Sequence, residues 1–333
     1  METVEVSLDE VESVTAAALE RHGAAPAVAG HVSRAVRVAE ATGNRICGLY
    51  YLESYCRQLV TGRVDGQVDP VVTVARPGAV RVDARFGFAQ SAFAAAFEPA
   101  VEATRSNGTC GLAVEHSHTC TSLGFFTEQF AQAGLLAIGT TTASARVAPP
   151  GGNRPLLGTN PIAMAVPARE GGVAFQFDFS TSAVALGKIT MAAAEGEPIP
   201  TGWAVDEDGE PTTDAQAALR GSLLSAGGYK GYAIGLMVEV LSSALTGSVA
   251  SADVQALKAP EGPPHDLGQF YLVVDPRSYS GEAFYDSLAL LAERVDEQPG
   301  ARLPGAHRTL PDQVTLDRAL WQDTVELAGG TPG

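Results

Sequence analysis

The sequence predicts a mixed α/β (α+β) fold with a helical layer at its N-terminus, and three observations predict it. Apolar residues recur at helical spacing through the first 62 positions, the period shortens to two near residue 70, and strand-like and helix-like stretches then alternate toward the end. With 333 residues, 45% hydrophobic and 18% charged, the chain can bury a proper core and has globular composition.

Taken in order, Ser7 and Glu10 form a capping box ahead of LDEVESVTAAALERHG, which keeps helical period to Gly23. Pro26, whose fixed φ suits a first turn, opens a second helix that runs through AVAGHVSRAVRVAEATG to Gly43. A third, LYYLESYCRQLVTG, stops at Gly62. His22 and His31 fall in this layer and are expected on solvated faces. PVVTVARPGAVRVDAR alternates in strand fashion and turns at Pro77 and Gly78, which reads as a hairpin. SAFAAAFEPAVEATRSNG is apolar at helical spacing, and TCGLAVEHSHT then alternates as a strand. Alternation continues through FFTEQFAQAG, LLAIGTTT, IAMAVP, VAFQFDFS and YKGYAIGLMVEVLSSALTG. QFYLVVDP is a late strand and AFYDSLALLAERVDEQ a late helix. SADVQALKAPEGPPHDLG alone has flexible-loop composition, and His265 within it is expected at the surface.

A formal net charge of −16 argues against nucleic-acid and anionic-membrane partners, which require basic surface. METVEVSLDEVESV lacks the basic and apolar regions of a secretion signal, and no run of about 18 apolar residues occurs, so a soluble, cytoplasmic protein is expected. Cys47, Cys56, Cys110 and Cys120 show no C-x-x-C pairing and no zinc spacing with histidine; reduced thiols and no metal are the expectation. There is no G-x-G-x-x-G, G-x-S-x-G or H-E-x-x-H run, and Gly187-Lys188 lacks the rest of a P-loop. Kinase, ATPase, serine hydrolase and zincin chemistry are set aside on that basis.

What the middle of the chain does carry is a series of polar, glycine-containing corners. They are VAPPGG at 147–152, LLGTNPIAMAVP at 156–167, FDFSTSAVALGKI at 177–189, GWAVDEDGEPTTD at 202–214 and GGYKGYAIGLMVE at 227–239. Such corners between apolar strands offer backbone N–H groups, hydroxyls and a lysine to an anionic ligand.

In this order, together with AEATGN, LTGRVDGQVDPVV, PIPTGWAVDEDGEPTTD and ARLPGAHR, the corners resemble the malate/L-lactate dehydrogenase family over nearly the whole chain. This family, also called sulfolactate-dehydrogenase-like, includes ureidoglycolate dehydrogenase and Δ1-piperideine-2-carboxylate reductase. GRVDG and FAQSAFAAAF lean toward its imine-reductase branch. The resemblance implies a non-Rossmann NAD(P)-binding fold, a homodimer, and hydride transfer to a carbonyl or imine carbon beside a carboxylate. NADPH is the implied cofactor, with NADH as the alternative. It implies a helical, dimerising and substrate-binding unit made of residues 1–75 with 265–333, and a cofactor unit of residues 76–264. Implied cofactor contacts are Gly158, Thr159, Asn160, Ser182, Lys188 and Lys230, with Thr141 as a neighbour.

Departures from the family pattern fall on its catalytic motifs. The S-H-G-x-x-R motif aligns with ICGLYY, placing Ile46 at the serine, Cys47 at the histidine, Gly48 at the glycine and Tyr51 at the arginine. In S-x-H, Ser117 matches but the histidine position falls on Thr119, with His118 one residue early. Side chains alternate across a strand, so His116 and His118 should face away from Thr119 unless a bulge intervenes. Two readings stay open: His118 or His116 has become the proton donor, or other groups replace the imidazole. For the second, Asp178 is the surviving acid–base group, Cys47 a thiol donor, and Thr119 the occupant of the vacated position.

Tyr51 and Ser117 would touch substrate, and Tyr51 cannot reproduce a bidentate guanidinium, which points to an altered substrate, as in a specialised biosynthetic pathway. An iminium carries its charge before hydride arrives and tolerates loss of a proton donor. A neutral ketone would lose roughly 10²- to 10⁴-fold in rate. The pattern therefore favours reduction of C=N, with a cofactor-binding protein lacking catalysis, or repurposed non-redox chemistry, as alternatives.

Overall fold

The structure is a computed structural model that describes residues 2–306 and 308–331; His307, within the ARLPGAHR stretch, lies outside the described residues. β1 (Thr3–Ser7) leads into α1 (Leu8–Arg21), where the Glu10 amide donates to the Ser7 hydroxyl at 3.2 Å. α2 (Pro26–Ala41) begins on its proline, as its fixed φ dictates. Two 3₁₀ turns, Arg45–Cys47 and Leu49–Tyr51, precede α3 (Leu52–Thr61), which Gly62 closes in the left-handed conformation at φ 75°. β2 (Val71–Arg76) and β3 (Ala79–Asp83) form the expected hairpin.

α4 (Ala89–Asn107), β4 (Thr109–Ser117), α5 (Gly124–Gln132), β5 (Leu136–Thr141), β6 (Ile162–Pro167) and β7 (Val173–Phe179) follow. The polar corners then fold as a small unit of α6 (Leu186–Glu195), β8 (Ala204–Val205), α7 (Ala215–Arg220) and β9 (Ser222–Leu223). α8 (Tyr229–Glu239) continues into a π turn, Val240–Ala244; β10 (Leu267–Val274), α9 (Glu282–Asp296), β11 (Gln313–Asp317) and α10 (Arg318–Leu327) complete the chain.

Seven strands make one sheet in the order β2-β3-β4-β10-β5-β6-β7, antiparallel except for the parallel β3–β4 pair. Cys110, Leu112 and Val114 alternate inward along β4 and pack with Phe93 of α4 and Phe126 and Phe130 of α5. Phe93 meets Phe126 edge-on at 4.9 Å. On the other side the π turn presses against β10, where a Cβ at Gly268 would lie 1.9 Å from the Ser242 carbonyl. A second core joins α1, α2, α3, α10 and the β1–β11 ribbon, and a third lies under α6 and α7. The expected division at residue 265 places β10 with the helical unit, whereas β10 hydrogen-bonds between β4 and β5 at the centre of the sheet. Among the described residues no helix is long and apolar enough to cross a membrane.

Candidate active site

The site begins with a buried carboxylate. Glu40, 4% exposed in the last turn of α2, accepts the Leu49 amide at 2.8 Å. A Cβ at Gly48 would stand 2.1 Å from its Oε1, so only glycine lets the two 3₁₀ turns settle on Glu40. Burial raises the Glu40 carboxyl, offset in part by the Leu49 amide and the Arg45 charge. Seated this way, the turns present Asn44, Ile46 and Tyr51 to open space.

Two cavities flank them. One, about 410 Å³, is lined by Ile46, Tyr50, Tyr51, Thr159, Ser180, Gly187 and Lys258. The other, about 390 Å³, is lined by Asn44, Ser122, Gly124, Asp178, Gly305 and Arg308. The first turn of α5 borders the second, where Gly124 N–H donates to Asp178 Oδ2 at 2.8 Å. The first turn of α6, with Leu186 and Gly187, borders the first. The start of α6 leaves backbone N–H groups free for an anion, whereas that of α5 already holds the Asp178 carboxylate.

Asp178 opens onto the cleft, yet the surrounding protein raises its carboxyl above the ordinary value. Amides of Gly124 and Leu123 and the Ser122 hydroxyl oppose that rise. Burial, then the neighbouring Asp178 charge, pushes the Cys47 thiol up to about 12. Burial also pushes the Tyr51 phenol up to about 12, helped by Cys47 and Tyr50. Around neutral pH Cys47 and Tyr51 are therefore neutral donors, with Asp178 as an acidic neighbour of Cys47.

The remaining expected residues are spread more widely. Thr159 lines the first cavity, and a Cβ on adjacent Gly158 would meet the Ala143 carbonyl at 2.3 Å. Asn160, fully buried at φ 39°, donates to the Gly235 carbonyl and to Glu239; Thr141 Oγ1 donates to Gly268 and Ser182 Oγ to Val184. Lys188 and Lys230 are exposed in the first turns of α6 and α8. Ser117 is fully buried, donating to the Leu267 carbonyl and accepting from Gln269. Thr119 is 7% exposed, and its hydroxyl accepts the Thr121 amide at 3.3 Å.

Three expectations are corrected. Plain alternation along HSHTCT fails because His116 adopts φ 50° and three steps of β4, Val114 to Ser117, oppose two of β10, Gln269 to Leu267. This bulge resets the faces, and His118 turns inward to donate from Nε2 to Gln58 Oε1 at 2.7 Å. His265 is not at the surface: it is 3% exposed and stacked on His118 at 4.0 Å. His31 is also half-buried, with burial and then Arg34 lowering its pKa, rather than on a solvated face. His116 pairs with Asp83 at 3.0 Å beside Glu115, which is bound by Arg81; ligand atoms of Asp83, Glu115 and His116 lie within 4.8 Å of one another, each already engaged inside the protein.

Sequence reasoning passed over Glu40, Ser122, Gly124 and Lys258. Glu40 left a signal, since a carboxylate in the last turn of a helix opposes its dipole and implies another task. Lys258 left none, because it is carried by a loop whose position depends on contacts about 200 residues apart in sequence.

Residues 6–319 match the family described as malate/L-lactate dehydrogenase. The Δ(1)-pyrroline-2-carboxylate/Δ(1)-piperideine-2-carboxylate reductase of Pseudomonas aeruginosa is 38% identical, covering 97% of this chain and 99% of that protein. The (2R)-3-sulfolactate dehydrogenase (NADP(+)) of Chromohalobacter salexigens is 40% identical over 91% of this chain and 90% of that one. Among solved structures, Δ1-piperideine-2-carboxylate reductase from Pseudomonas syringae is similar with a TM-score of 0.89 at 34% identity, covering 97% and 99% of the two chains. Sulfolactate dehydrogenase from Methanocaldococcus jannaschii gives 0.88 at 25%, covering 98% of each chain.

Proposed function

The chain belongs to the malate/L-lactate dehydrogenase family, and on that premise we propose that it uses NADPH to reduce the C=N bond of a small cyclic imine bearing a carboxylate. One observation carries this reading: the turns between the two cavities bear Cys47 and Tyr51 where the family pattern has an imidazole and a guanidinium, with Tyr51 lining one cavity and Asp178 the other.

The residues present suit a reduced dinucleotide. Gly187 leaves the start of α6 open to phosphate, where a Cβ would lie 3.0 Å from Ile46; Lys188 is exposed in the same first turn, and Arg308, paired with Glu128, lines the second cavity. Thr159 and Ser180 supply hydroxyl partners in the first cavity and Asp178 a carboxylate in the second. When bound, the nicotinamide supplies the hydride.

The chain's own part is electrostatic and steric. Asp178, ionised, attracts a protonated imine and stabilises its charge while the substrate is positioned. Cys47, held as the thiol, offers S–H to the substrate nitrogen or carboxylate without adding negative charge. Tyr51 and Ile46 supply an apolar wall that excludes water. No proton has to be delivered during reduction of an iminium, which fits the absence of histidine from positions 47 and 119.

The reading extends to a cytoplasmic homodimer serving a biosynthetic pathway. Ile234, Leu236, Met237, Val240 and Leu245 are all more than two-fifths exposed along α8 and its π turn, as an interface would require, and four free thiols suit a reducing compartment. Incubating the protein with NADPH and Δ1-pyrroline-2-carboxylate or Δ1-piperideine-2-carboxylate tests the activity. Loss of NADPH fluorescence is expected with these imines and far slower with matching 2-keto acids. No affinity for reduced dinucleotide by titration would end this reading.

A further inference from the structure

We propose that Lys258 is the cation that holds the substrate carboxylate, replacing from a different loop the guanidinium that Tyr51 cannot supply. The inference rests on the imine-reductase reading for its substrate, and on the following geometry for its residue.

Lys258 lines the 410 Å³ cavity with Ile46, Tyr51 and Thr159. Its Nζ stands 3.6 Å from the Tyr50 ring centroid and 5.5 Å from that of Tyr51, and donates to the Tyr50 carbonyl at 3.3 Å. Two aromatic faces localise the ammonium without neutralising it. It makes no ion pair among the described residues. One N–H is committed to Tyr50, and two remain for a ligand.

A surface lysine would ordinarily be too mobile for this task, but its loop is clamped on both sides. Gln58 Nε2 donates to the carbonyls of Leu257 and Ala259 at 2.8 and 2.7 Å. Arg63 donates to Ala256, Ala259 and Pro263, and Thr61 Oγ1 to Pro260 at 2.7 Å. Gln58 and Arg63 are 0% and 2% exposed. Because Nε2 of Gln58 serves two carbonyls, its Oε1 must accept, and His118 supplies that proton from Nε2. The histidine of HSHTCT is thus a positioning residue for the loop, acting through Gln58. A fixed ammonium in a largely apolar cleft, beside the turn that bears Cys47, matches a small anionic ring and would discriminate against its uncharged counterpart.

The test measures binding and turnover separately. With NADPH present, calorimetry compares pyrrole-2-carboxylate with pyrrole-2-carboxamide on wild type, Lys258→Met and Lys258→Arg. Wild type should prefer the acid; Lys258→Met, which keeps the stem over Tyr50, should lose that preference by about ten- to a hundredfold, and Lys258→Arg should restore most of it. In kinetics Lys258→Met should raise KM for Δ1-pyrroline-2-carboxylate with little change in kcat, while leaving KM for 2-methyl-1-pyrroline within about twofold. Equal acid and amide binding by wild type, or an acid preference that survives Lys258→Met, overturns the inference. Acid preference through Lys258 without turnover of any imine would leave Lys258 assigned and refute the reductase reading instead.

Discussion

His118 and His265 stack ring on ring, 4.0 Å between centroids and 15° between planes, at 1% and 3% exposure. Burial holds both well below the ordinary imidazole pKa, His265 down to about 3, with the Arg63 charge adding to the depression. Unfolded, each titrates near 6.5, so the stability of the neutral pair is complete above that pH and is lost as pH falls toward 3. Urea unfolding should show a free energy that declines below pH 6.5, by up to about 1.4 kcal/mol per pH unit for each histidine. His265→Phe keeps a ring in the stack and should flatten that limb; an unaltered limb would show that His265 titrates freely in the folded protein.

Gly48 and Glu40 form a second pair whose energetics can be read directly. Gly48→Ala should destabilise by about 1–3 kcal/mol, since the new methyl meets a buried carboxylate rather than a flexible chain end. The accompanying displacement of Cys47 and Tyr51 should also lower kcat. In Glu40→Ala the methyl gains room, so the double variant should be more stable than the sum of the two losses; strict additivity in denaturant melts would contradict the contact.

Asp178→Asn should lower kcat/KM for the cyclic imines by roughly 10²- to 10³-fold, because the charge facing the iminium disappears. In wild type the carboxyl titrates above its ordinary 3.8, so kcat/KM should fall as pH drops through that raised value, as protonation removes the charge. The acid limb should be absent from the variant's pH profile. Persistence of the limb would assign it to another group.

The thiols should be inert while the protein is folded. Burial raises Cys47 and Cys56 to about 12 and also raises Cys110 and Cys120. At pH 8 about one Cys47 in 10⁴ is thiolate, so iodoacetamide should label the native protein hardly at all and the urea-unfolded protein at four positions. Rapid native labelling at Cys47 would mean that the thiolate, not the thiol, occupies the cleft.

Much of the fold was legible because local chemistry decides it. Ser7 with Glu10, Pro26, Gly62 and the Pro77–Gly78 turn each mark a boundary through a hydrogen bond or a restricted φ, and the structure keeps all four. α6, α7, α10 and the β1–β11 ribbon escaped notice, since short elements owe more to the surfaces they pack on than to their own period. The HSHTCT stretch was misjudged for a related reason. Two-residue alternation holds only while the ladder is regular, and His116, of a type that tolerates positive φ, breaks it.

Around the candidate site, Asp178, Cys47, Tyr51 and Thr159 could be proposed from motifs because each lies beside a recognisable turn. Gln58, Arg63 and Lys258 could not, because nothing local ties residue 58 to residue 257. That link exists only once α3 and the 256–263 loop have met.

The central place of β10 also dictates an order of events during synthesis. β4 and β5 leave the ribosome long before residues 267–274, and until those arrive each presents a bare row of amides and carbonyls flanked by apolar side chains. The nascent chain must wait in that state, vulnerable to neighbours of its own kind, so its yield in the cell will depend on chaperone capacity and on growth temperature more than its finished stability would suggest.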